Sequence, residues 1–351
     1  MGWLSDDSPA VSVLMPVHNG VAWVLGAIDS VLRQSLTDLE LVIVDDGSTD
    51  GSPEAIDCLV RRDRRIRVLR QRHLGVAAAL NRGLEAARAP LVARLDADDT
   101  AETTRLARQA AFLEHRRDVG LVGTWAYEID GYGRVRGRRT PDTDSRSLKR
   151  WLEEGNPFIH SSVMARTELL RALGGYRAAF QAAEDYDLWL RVAEVSEVAN
   201  LPEFLVSYRM HTRGVSRRDG LRQAFSVRLA QRASTARRER ANDPADELDG
   251  PPDWRCARDE AFYAEDAGLY RWLDVGLGET IAGTPIEAGS EGLVYGARRL
   301  NHAERRLAAL ALLTRVRSAD PDEAAGARDL LVRLFRGSPA AVLKAAWSLR
   351  A

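Results

Sequence analysis

The sequence predicts an α/β fold in which a mainly parallel sheet is flanked by helices and followed by an α-helical C-terminal region. Two observations favour this fold class. Short apolar runs, which are typical of buried strands, alternate with segments of helical periodicity through the first third of the chain. Beyond about Gly214 the composition changes to Ala, Arg, Leu and Glu, which favours helix.

The first part of the chain contains four apolar runs that predict buried strands. Because a helical segment follows each run, we expect the strands to lie parallel and to be joined by helical crossovers. The predicted strands are Val11–Val17, Leu39–Val44, Ile66–Leu69 and Leu91–Leu95, and the predicted helices are Val24–Gln34, Pro53–Arg62, Gly75–Ala87 and Arg105–Glu114.

The remainder of the chain alternates less regularly. Up to about residue 214, the predicted strands are Val119–Ile129 and Phe204–Met210, and the predicted helices are Thr167–Leu173 and Asp185–Glu194. In the C-terminal region, the predicted helices are Trp254–Leu277 and Glu291–Phe335. We therefore predict three segments, residues 1–115, 116–214 and 215–351.

Charge and cysteine content limit the function classes. The formal net charge of the 351 residues is -1, so no overall field attracts nucleic acid. Cys58 and Cys256 are isolated, which argues against a disulfide framework and fits a reduced, cytoplasmic setting. Met1–Ala10 lacks the features of a signal peptide, and no segment approaches the ~18 apolar residues of a membrane span. We therefore expect a cytoplasmic protein.

Three of the predicted parallel strands end in polar loops. His18–Asn19 follows the first strand, Asp45–Asp46 ends the second, and Asp96–Asp99 follows the fourth. In open α/β sheets, ligands bind in the crevice outside the carboxyl ends of the strands. We therefore expect the three loops to face one crevice.

The loop Asp96–Asp99 places three carboxylates within four positions. Carboxylates crowded at a strand end repel one another and resist the loss of water, so a positive partner is expected there. A hard divalent cation is the simplest candidate. The D-x-D spacing alone also fits a solvated turn, so the interpretation depends on the other motifs.

Further acidic residues suggest a chemistry for this crevice. Asp46 could accept a hydrogen bond from the ring nitrogen of a uracil or thymine base, while Asp96 and Asp98 suit a ribose and a divalent metal. Asp185 opens a predicted helix, and the positive end of a helix favours an ionised carboxylate. An ionised carboxylate is what a general base needs to take a proton from an acceptor hydroxyl.

The ordered motifs resemble those of glycosyltransferase family 2, the inverting enzymes of the GT-A type. No single motif is decisive, but the ordered set is specific and covers roughly residues 11–216. The matching segments are Val13–Asn19 with its Pro-x-His-Asn turn, Asp45–Asp50, Gly75 with Asn81–Gly83, Leu95–Asp99, Arg105–Leu106 with Gln109, Glu184–Arg191 and Tyr208–His211.

The resemblance implies a GT-A type, Rossmann-like domain, with residues 1–115 as its nucleotide-sugar-binding half and residues 116–214 as its acceptor-binding half. It implies that a sugar passes from a nucleotide-diphosphate sugar to a hydroxyl in one displacement, with inversion at the anomeric carbon. Asp46 favours a UDP-sugar, although dTDP presents the same ring edge. The implied acceptor is a growing surface glycan or a lipid-linked oligosaccharide, and the implied process is polysaccharide biosynthesis.

The resemblance also implies a role for each matching residue. Asp185 would be the general base, and Glu184 would bind the acceptor. Asp98 would ligate Mn²⁺ or Mg²⁺ through the donor diphosphate, with His211 as a second protein ligand or an ordinary histidine at the edge of the site. The residues implied in binding the nucleotide-sugar are Pro16, Val17, His18, Asn19, Asp46, Gly75, Arg82, Asp96 and Ala97.

The sequence departs from the family pattern before Gly75. The family often has Asn before the glycine at this place, whereas here the segment reads Gln71-Arg72-His73-Leu74. The contacts of His73 are therefore left open.

Two other function classes stay open. Asp96–Thr100 also fits the D-x-D-x-T start of aspartate-nucleophile phosphatases, with Asp96 as the nucleophile, although the motif follows the fourth strand and Lys149 is the only lysine within reach. A catalytically inactive sugar-nucleotide-binding or scaffold protein would carry the same motifs, and the intact acidic set argues against it. A nicotinamide dehydrogenase would need G-x-G-x-x-G after the first strand, which is missing.

Residues 215–351 match no family pattern. We expect this region to shape the acceptor side of the catalytic domain or to form a homodimer contact. Its Arg-rich start and the amphipathic stretch Leu330–Leu349 also allow peripheral contact with the inner face of a membrane.

Overall fold

The computed structural model describes residues 8–211, 220–239, 242–257, 261–264, 266–267, 270 and 304. Tertiary contacts divide the chain into a first unit, residues 1–218, and a second unit, residues 219–351. Within the described part of the chain, no helix combines the length and the apolar character that crossing a membrane requires.

The first unit contains one sheet with helices packed against it. Its strands are β1 (Val11–Val17), β2 (Leu39–Asp46), β3 (Ile66–Gln71), β4 (Leu91–Arg94), β5 (Thr100–Ala101), β6 (Val119–Ile129), β7 (Val135–Arg139), β8 (Met164–Arg166) and β9 (Glu197–Arg209). Its helices are α1 (Val24–Leu32), α2 (Ser52–Val60), α3 (Val76–Ala86), α4 (Arg105–His115), α5 (Ser145–Leu152), α6 (Thr167–Ala172) and α7 (Glu184–Val195).

The strand order is β3-β2-β1-β4-β8-β6-β9-β5, with β7 paired to β6. The first four strands in this order are parallel, β8 runs antiparallel to both of its neighbours, and β6 and β9 are parallel again. The predicted fold class, a mainly parallel sheet flanked by helices, is therefore confirmed. In the second unit the described residues include α8 (Gly220–Arg238).

The apolar runs of β1 and β2 became strands because both of their faces are covered. Val13 and Leu41 on one face, and Leu14 and Val42 on the other, are each at most 1% exposed, as expected for central parallel strands. Helix α3 lies close to the sheet at Gly83, where an added Cβ would come within 3.3 Å of a methyl group of Leu14. This close packing positions the beginning of α3 beside the end of β2.

Strand β9 begins seven residues before the predicted start, at Glu197 rather than Phe204. Pro202 interrupts the strand pattern in the sequence, because proline cannot donate to a ladder. In the structure Pro202 is exposed, and the β6–β9 register shifts between Thr124 and Trp125 to accommodate it. At the other end of the strand, Arg209 donates to the carbonyl of Asp98 in the loop that follows β4.

The predicted helix Trp254–Leu277 begins differently. Trp254–Cys256 is a 3₁₀ turn rather than the start of an α-helix, and the side chain of Asp253 caps it by accepting from the backbone N–H of Arg255. Most of the remaining predicted segment, and the predictions for Glu291–Phe335 and Leu330–Leu349, lie outside the described residues.

Candidate active site

The loops after β1 and β2 are joined by hydrogen bonds. The backbone N–H of Asn19 donates to Oγ of Ser48 at 3.0 Å, and its side-chain oxygen accepts from the N–H of Thr49 at 2.8 Å. Asn19 has a positive φ of 55°, a conformation that asparagine tolerates better than most residues. Pro16 and Val17 end β1 beside the last residues of β2. The two predicted loops therefore form one wall of the site.

Asp46 lies at the centre of this wall and is 3% exposed. Its carboxylate accepts from the amide of Gln71 at 2.7 Å, from the ring of His73 at 2.8 Å, and from the backbone N–H groups of Leu74 and Gly75 at 2.8 and 2.9 Å. Burial opposes its ionisation, but these hydrogen bonds outweigh burial and hold the pKa of Asp46 below its ordinary value. Asp46 is therefore an anion whose contacts join β2 to the segment before α3.

Two histidines lie against Asp46. The ring Nδ1 of His18 is 2.9 Å from the carbonyl oxygen of Asp46, and the ring of His73 stacks on that of His18 with centroids 4.0 Å apart. Arg82 contacts neighbours of Asp46: it donates to the carbonyl of Arg70 at 2.6 Å and to the side-chain oxygen of Gln71 at 3.5 Å. The predicted nucleoside-binding residues on β1, β2 and α3 thus occur together.

The acidic loop after β4 lies against the turn that follows β1. The Cβ of Ala97 is 3.6 Å from the position that a Cβ on Gly20 would take. Asp96 is held by Arg94 at 2.5 Å and by the hydroxyl of Ser161 at 2.9 Å. Because Arg94 is only 3% exposed, its charge offsets that of Asp96 within the protein.

The other two carboxylates of this loop contact the end of β9. Nε2 of His211 is 2.7 Å from Oδ2 of Asp98, and Oδ1 of Asp99 accepts from the backbone N–H of Arg209 at 2.6 Å. Nε of Arg209 donates to the carbonyl of Asp98 at 2.7 Å. Burial and the neighbouring charge of Asp96 raise the pKa values of Asp98 and Asp99, that of Asp99 strongly. The ends of β4 and β9 therefore meet at three carboxyl groups whose simultaneous ionisation is unfavourable.

This loop fits a divalent cation by its chemistry. Oxygen atoms of Asp96, Asp98 and Asp99 lie within 4.8 Å of one another. Oδ2 of Asp99 is buried and has no hydrogen-bond partner among the described residues. Carboxylate oxygens are the ligands that Mg²⁺ and Mn²⁺ prefer, and a cation would relieve the repulsion among them.

A second acidic pair begins α7. The carboxylate of Asp185 accepts from the side-chain amide of Asn156 at 2.8 Å and from the backbone N–H of Tyr186 at 2.7 Å. Loss of hydration raises the pKa of Asp185 to about 6. Burial and the adjacent charge of Asp185 raise the pKa of Glu184 to about 7. These are values at which a carboxylate acts as a base near neutral pH.

The α7 pair lies within electrostatic range of the acidic loop. The charges of Arg94 and Asp96 influence the pKa values of both Glu184 and Asp185. The charges of Arg94 and Asp96 also act on His160, whose Nε2 is 3.2 Å from the hydroxyl of Tyr176. The predicted base and the acidic loop are therefore near enough for the charges of Arg94 and Asp96 to act on Asp185.

Several site residues escaped the sequence analysis. Arg94 had a visible signal, because a lone charge in an otherwise apolar strand needs a buried partner. Ser161 and Asn156 had no such signal, since their roles depend on the chain returning to the site from elsewhere. Trp23 was also missed; its ring lies 4.4 Å from that of His211.

Comparison with known proteins identifies the family of this chain. The chain matches the model of the family described as Glycosyl transferase family 2 over residues 12–174. It is 35% identical to EpsE of Bacillus subtilis (strain 168) over 219 residues, which are 61% of this chain and 77% of EpsE. The chain belongs to glycosyltransferase family 2. The resemblance seen in the sequence is thereby confirmed, and the phosphatase alternative is removed.

This glycosyltransferase is also similar to a protein of Escherichia coli named UDP-Gal:alpha-D-GlcNAc-diphosphoundecaprenol beta-1,3-galactosyltransferase. The two are 28% identical over 232 residues, which are 65% of this chain and 84% of the other. The family match ends at residue 174, so Glu184, Asp185 and His211 lie beyond it.

Two solved structures share the fold of this glycosyltransferase. S. aureus TarS 1-349 in complex with UDP-GlcNAc has a TM-score of 0.55 at 16% identity, with 92% of this chain and 89% of that chain covered. The mannosyltransferase PcManGT from Pyrobaculum calidifontis, in complex with GDP-Man and Mn²⁺, has a TM-score of 0.51 at 19% identity, with 98% and 88% covered. At these low sequence identities, both similarities are evidence for the fold alone.

Proposed function

We propose that this glycosyltransferase transfers a sugar from a UDP-sugar to a hydroxyl of a glycan or lipid-linked acceptor, with inversion at the anomeric carbon. The observation that carries the proposal is the position of the α7 acids. Asp185, with its pKa raised to about 6, lies within electrostatic range of Asp96 in a loop whose acids suit a cation. A base and a diphosphate site so placed are the two parts that a single displacement requires.

The nucleobase of the donor is assigned to the wall around Asp46. This carboxylate is ionised and buried, so it can accept a hydrogen bond from the ring N–H of uracil. Gln71 donates to this carboxylate and is itself contacted by Arg82, which is assigned to binding the nucleotide-sugar. Similarity to TarS, whose structure contains UDP-GlcNAc, supports a uridine donor. dTDP would present the same ring edge.

A divalent cation is assigned to Asp98, with His211 as the second protein ligand. When bound, Mn²⁺ or Mg²⁺ would neutralise charge on the diphosphate as it leaves. Asp96, already held by Arg94 and Ser161, is assigned to the ribose. The presence of Mn²⁺ in the structure of PcManGT supports this assignment.

Asp185 is assigned the proton transfer. Its carboxylate takes the proton of the acceptor hydroxyl while that oxygen forms a bond to the anomeric carbon. The bond from this carbon to the diphosphate oxygen breaks, and the nucleoside diphosphate leaves with the electron pair. Glu184 beside it is assigned to binding an acceptor hydroxyl, and Asn156 fixes the orientation of Asp185.

A lipid-linked acceptor in polysaccharide biosynthesis is supported by the name of the similar E. coli protein. The C-terminal region is assigned to acceptor binding, a homodimer contact or peripheral contact with the inner face of a membrane. A protein truncated near Arg240 would contradict the role in acceptor binding if it kept full activity. It would contradict the homodimer contact if it kept the oligomeric state of the full chain.

Calorimetry with UDP, dTDP and GDP, with and without Mn²⁺, tests the donor assignment. We expect UDP to bind more tightly with Mn²⁺ than without it, and more tightly than GDP. NMR of the first sugar released from an α-linked UDP-sugar should show the β configuration. Retention of the α configuration would contradict inversion, and a protein that binds UDP but never releases a sugar would be the inactive binding protein.

A further inference from the structure

The carboxylate of Asp46 has all of its acceptor positions filled by the protein. A carboxylate accepts about four hydrogen bonds through its two oxygens. Oδ1 accepts from Gln71 and from the N–H of Leu74, and Oδ2 accepts from His73 and from the N–H of Gly75. A nucleobase that bonds to this carboxylate therefore has to replace one of four donors.

Two of these donors are main-chain groups, and the third is the side-chain amide of a residue held in the sheet. Leu74 and Gly75 donate through their main-chain N–H groups, in a turn where Gly75 has a φ of 91°. Gln71 lies directly opposite Asp46 in the β2–β3 ladder. The fourth donor, His73, is different, because its side chain is 60% exposed. The ring of His73 is the donor that can leave with the least disturbance.

The ring of His73 makes the two contacts that a pyrimidine would make here. It stacks on His18 with an interplanar angle of 20° and centroids 4.0 Å apart, which is the spacing of two flat rings in contact. Its Nδ1 lies 2.8 Å from Oδ2 of Asp46. Uracil is likewise a flat ring with an N–H donor on one edge.

We propose that His73 occupies the pyrimidine position on Asp46 and competes with the nucleobase of the donor, so that its ring has to rotate outward before the base binds. The proposal rests on the proposed function, because it takes Asp46 as the acceptor for the base. His73 then lowers the apparent affinity for the donor, because only the fraction of molecules with the ring rotated outward is competent to bind.

Calorimetric titration of the full chain with UDP and Mn²⁺ tests this competition. Replacing His73→Ala removes the competing donor, and we expect UDP to bind roughly 2- to 10-fold more tightly, the range that one hydrogen bond contributes. His115→Ala, an exposed histidine on α4, should leave the affinity unchanged. Unchanged or weaker binding by the His73→Ala protein would overturn the proposal, since the ring would then be neutral or a ligand of the nucleotide.

A spectroscopic measurement tests the rotation without a substitution. In ¹H–¹⁵N spectra of the histidine rings, saturating UDP should move the His73 signals to those of a solvent-exposed ring. Signals that stay in place while UDP binds would overturn the proposal.

Asp46→Asn separates this inference from the proposed function. The side-chain amide of asparagine presents an N–H₂ group where one carboxylate oxygen stood, so UDP should bind roughly 10-fold or more weakly if the base is held there. If Asp46→Asn leaves UDP affinity unchanged, the assignment of the nucleobase to Asp46 itself fails. If Asp46→Asn weakens UDP binding and His73→Ala does not strengthen it, only the role of His73 fails.

Discussion

Nε2 of His211 lies 2.7 Å from Oδ2 of Asp98, although the two residues are 113 positions apart in the chain. Arg209 holds these two residues together, because its backbone N–H and its guanidinium are both hydrogen-bonded to the loop that carries Asp98. The guanidinium of Arg209 also donates to the carbonyl of Asp130 at 2.9 Å. The end of β9 is therefore anchored both to the acidic loop and to the turn that follows β6.

The first prediction concerns the metal. In Asp98→Asn and His211→Ala proteins, we expect the affinity for Mn²⁺ in the presence of UDP to fall roughly 10-fold or more, because each substitution removes a ligand or its oriented partner. Electron paramagnetic resonance of free Mn²⁺ measures this affinity without turnover. His115→Ala is the control. Unaltered Mn²⁺ binding in both variants would show that the cation is held elsewhere.

The second prediction concerns the base. Asp185→Asn should lower the rate of sugar transfer or donor hydrolysis by ~10²–10⁴-fold, because the amide cannot take the acceptor proton. UDP affinity should change less than about 2-fold, since Asp185 is placed on the acceptor side. Glu194→Gln, at the exposed opposite end of α7, is the matched control. Normal turnover by Asp185→Asn would remove Asp185 from the mechanism.

The third prediction concerns pH. Because the pKa of Asp185 is raised to about 6 and that of Glu184 to about 7, the base gains a proton as the pH falls through this range. The logarithm of kcat/KM should therefore rise with a slope of about 1 up to roughly pH 6–7 and then level off.

Asn156→Ala gives this profile an internal check. The hydrogen bond from Asn156 lowers the pKa of Asp185, so its loss should move the acid limb to higher pH. UDP binding measured over the same pH range controls for protonation of the metal loop. An acid limb that stays in place would mean that another group is titrating.

The fourth prediction concerns stability. Asp187 is fully buried and bonded to Arg177 and Arg191, at 2.5 and 2.7 Å. Asp187→Ala leaves two guanidinium groups without their shared anion, and we expect the free energy of unfolding in urea to fall by about 3–5 kcal/mol. Asp29→Ala breaks the exposed Asp29–Arg33 pair and should lower it by less than about 1 kcal/mol. Equal effects of the two substitutions would contradict this account.

The Asp187–Arg191 pair also shows where sequence patterns stop being informative. Opposite charges four residues apart on a helix can pair, as Asp187 and Arg191 do at 2.7 Å, and such pairs usually lie on the surface. Both residues are nevertheless buried, because the segment before α7 packs against them: Arg177 bonds to Asp187, and Arg191 donates to the carbonyls of Leu173 and Gly175. Local spacing predicts which side chains on one helix can meet, but it carries no information on what packs over them.

The sequence by itself determined the alternating strands and helices, the polar loops at the ends of β1, β2 and β4, and the order of the family motifs. These features depend on periodicity and turn chemistry, which act over a few residues. The tertiary structure decided the partners: Arg94 for Asp96, His211 for Asp98 and Asn156 for Asp185. It also decided that His73 bonds to Asp46. Such pairs follow from strand register and loop paths across the sheet, where residues distant in the chain meet.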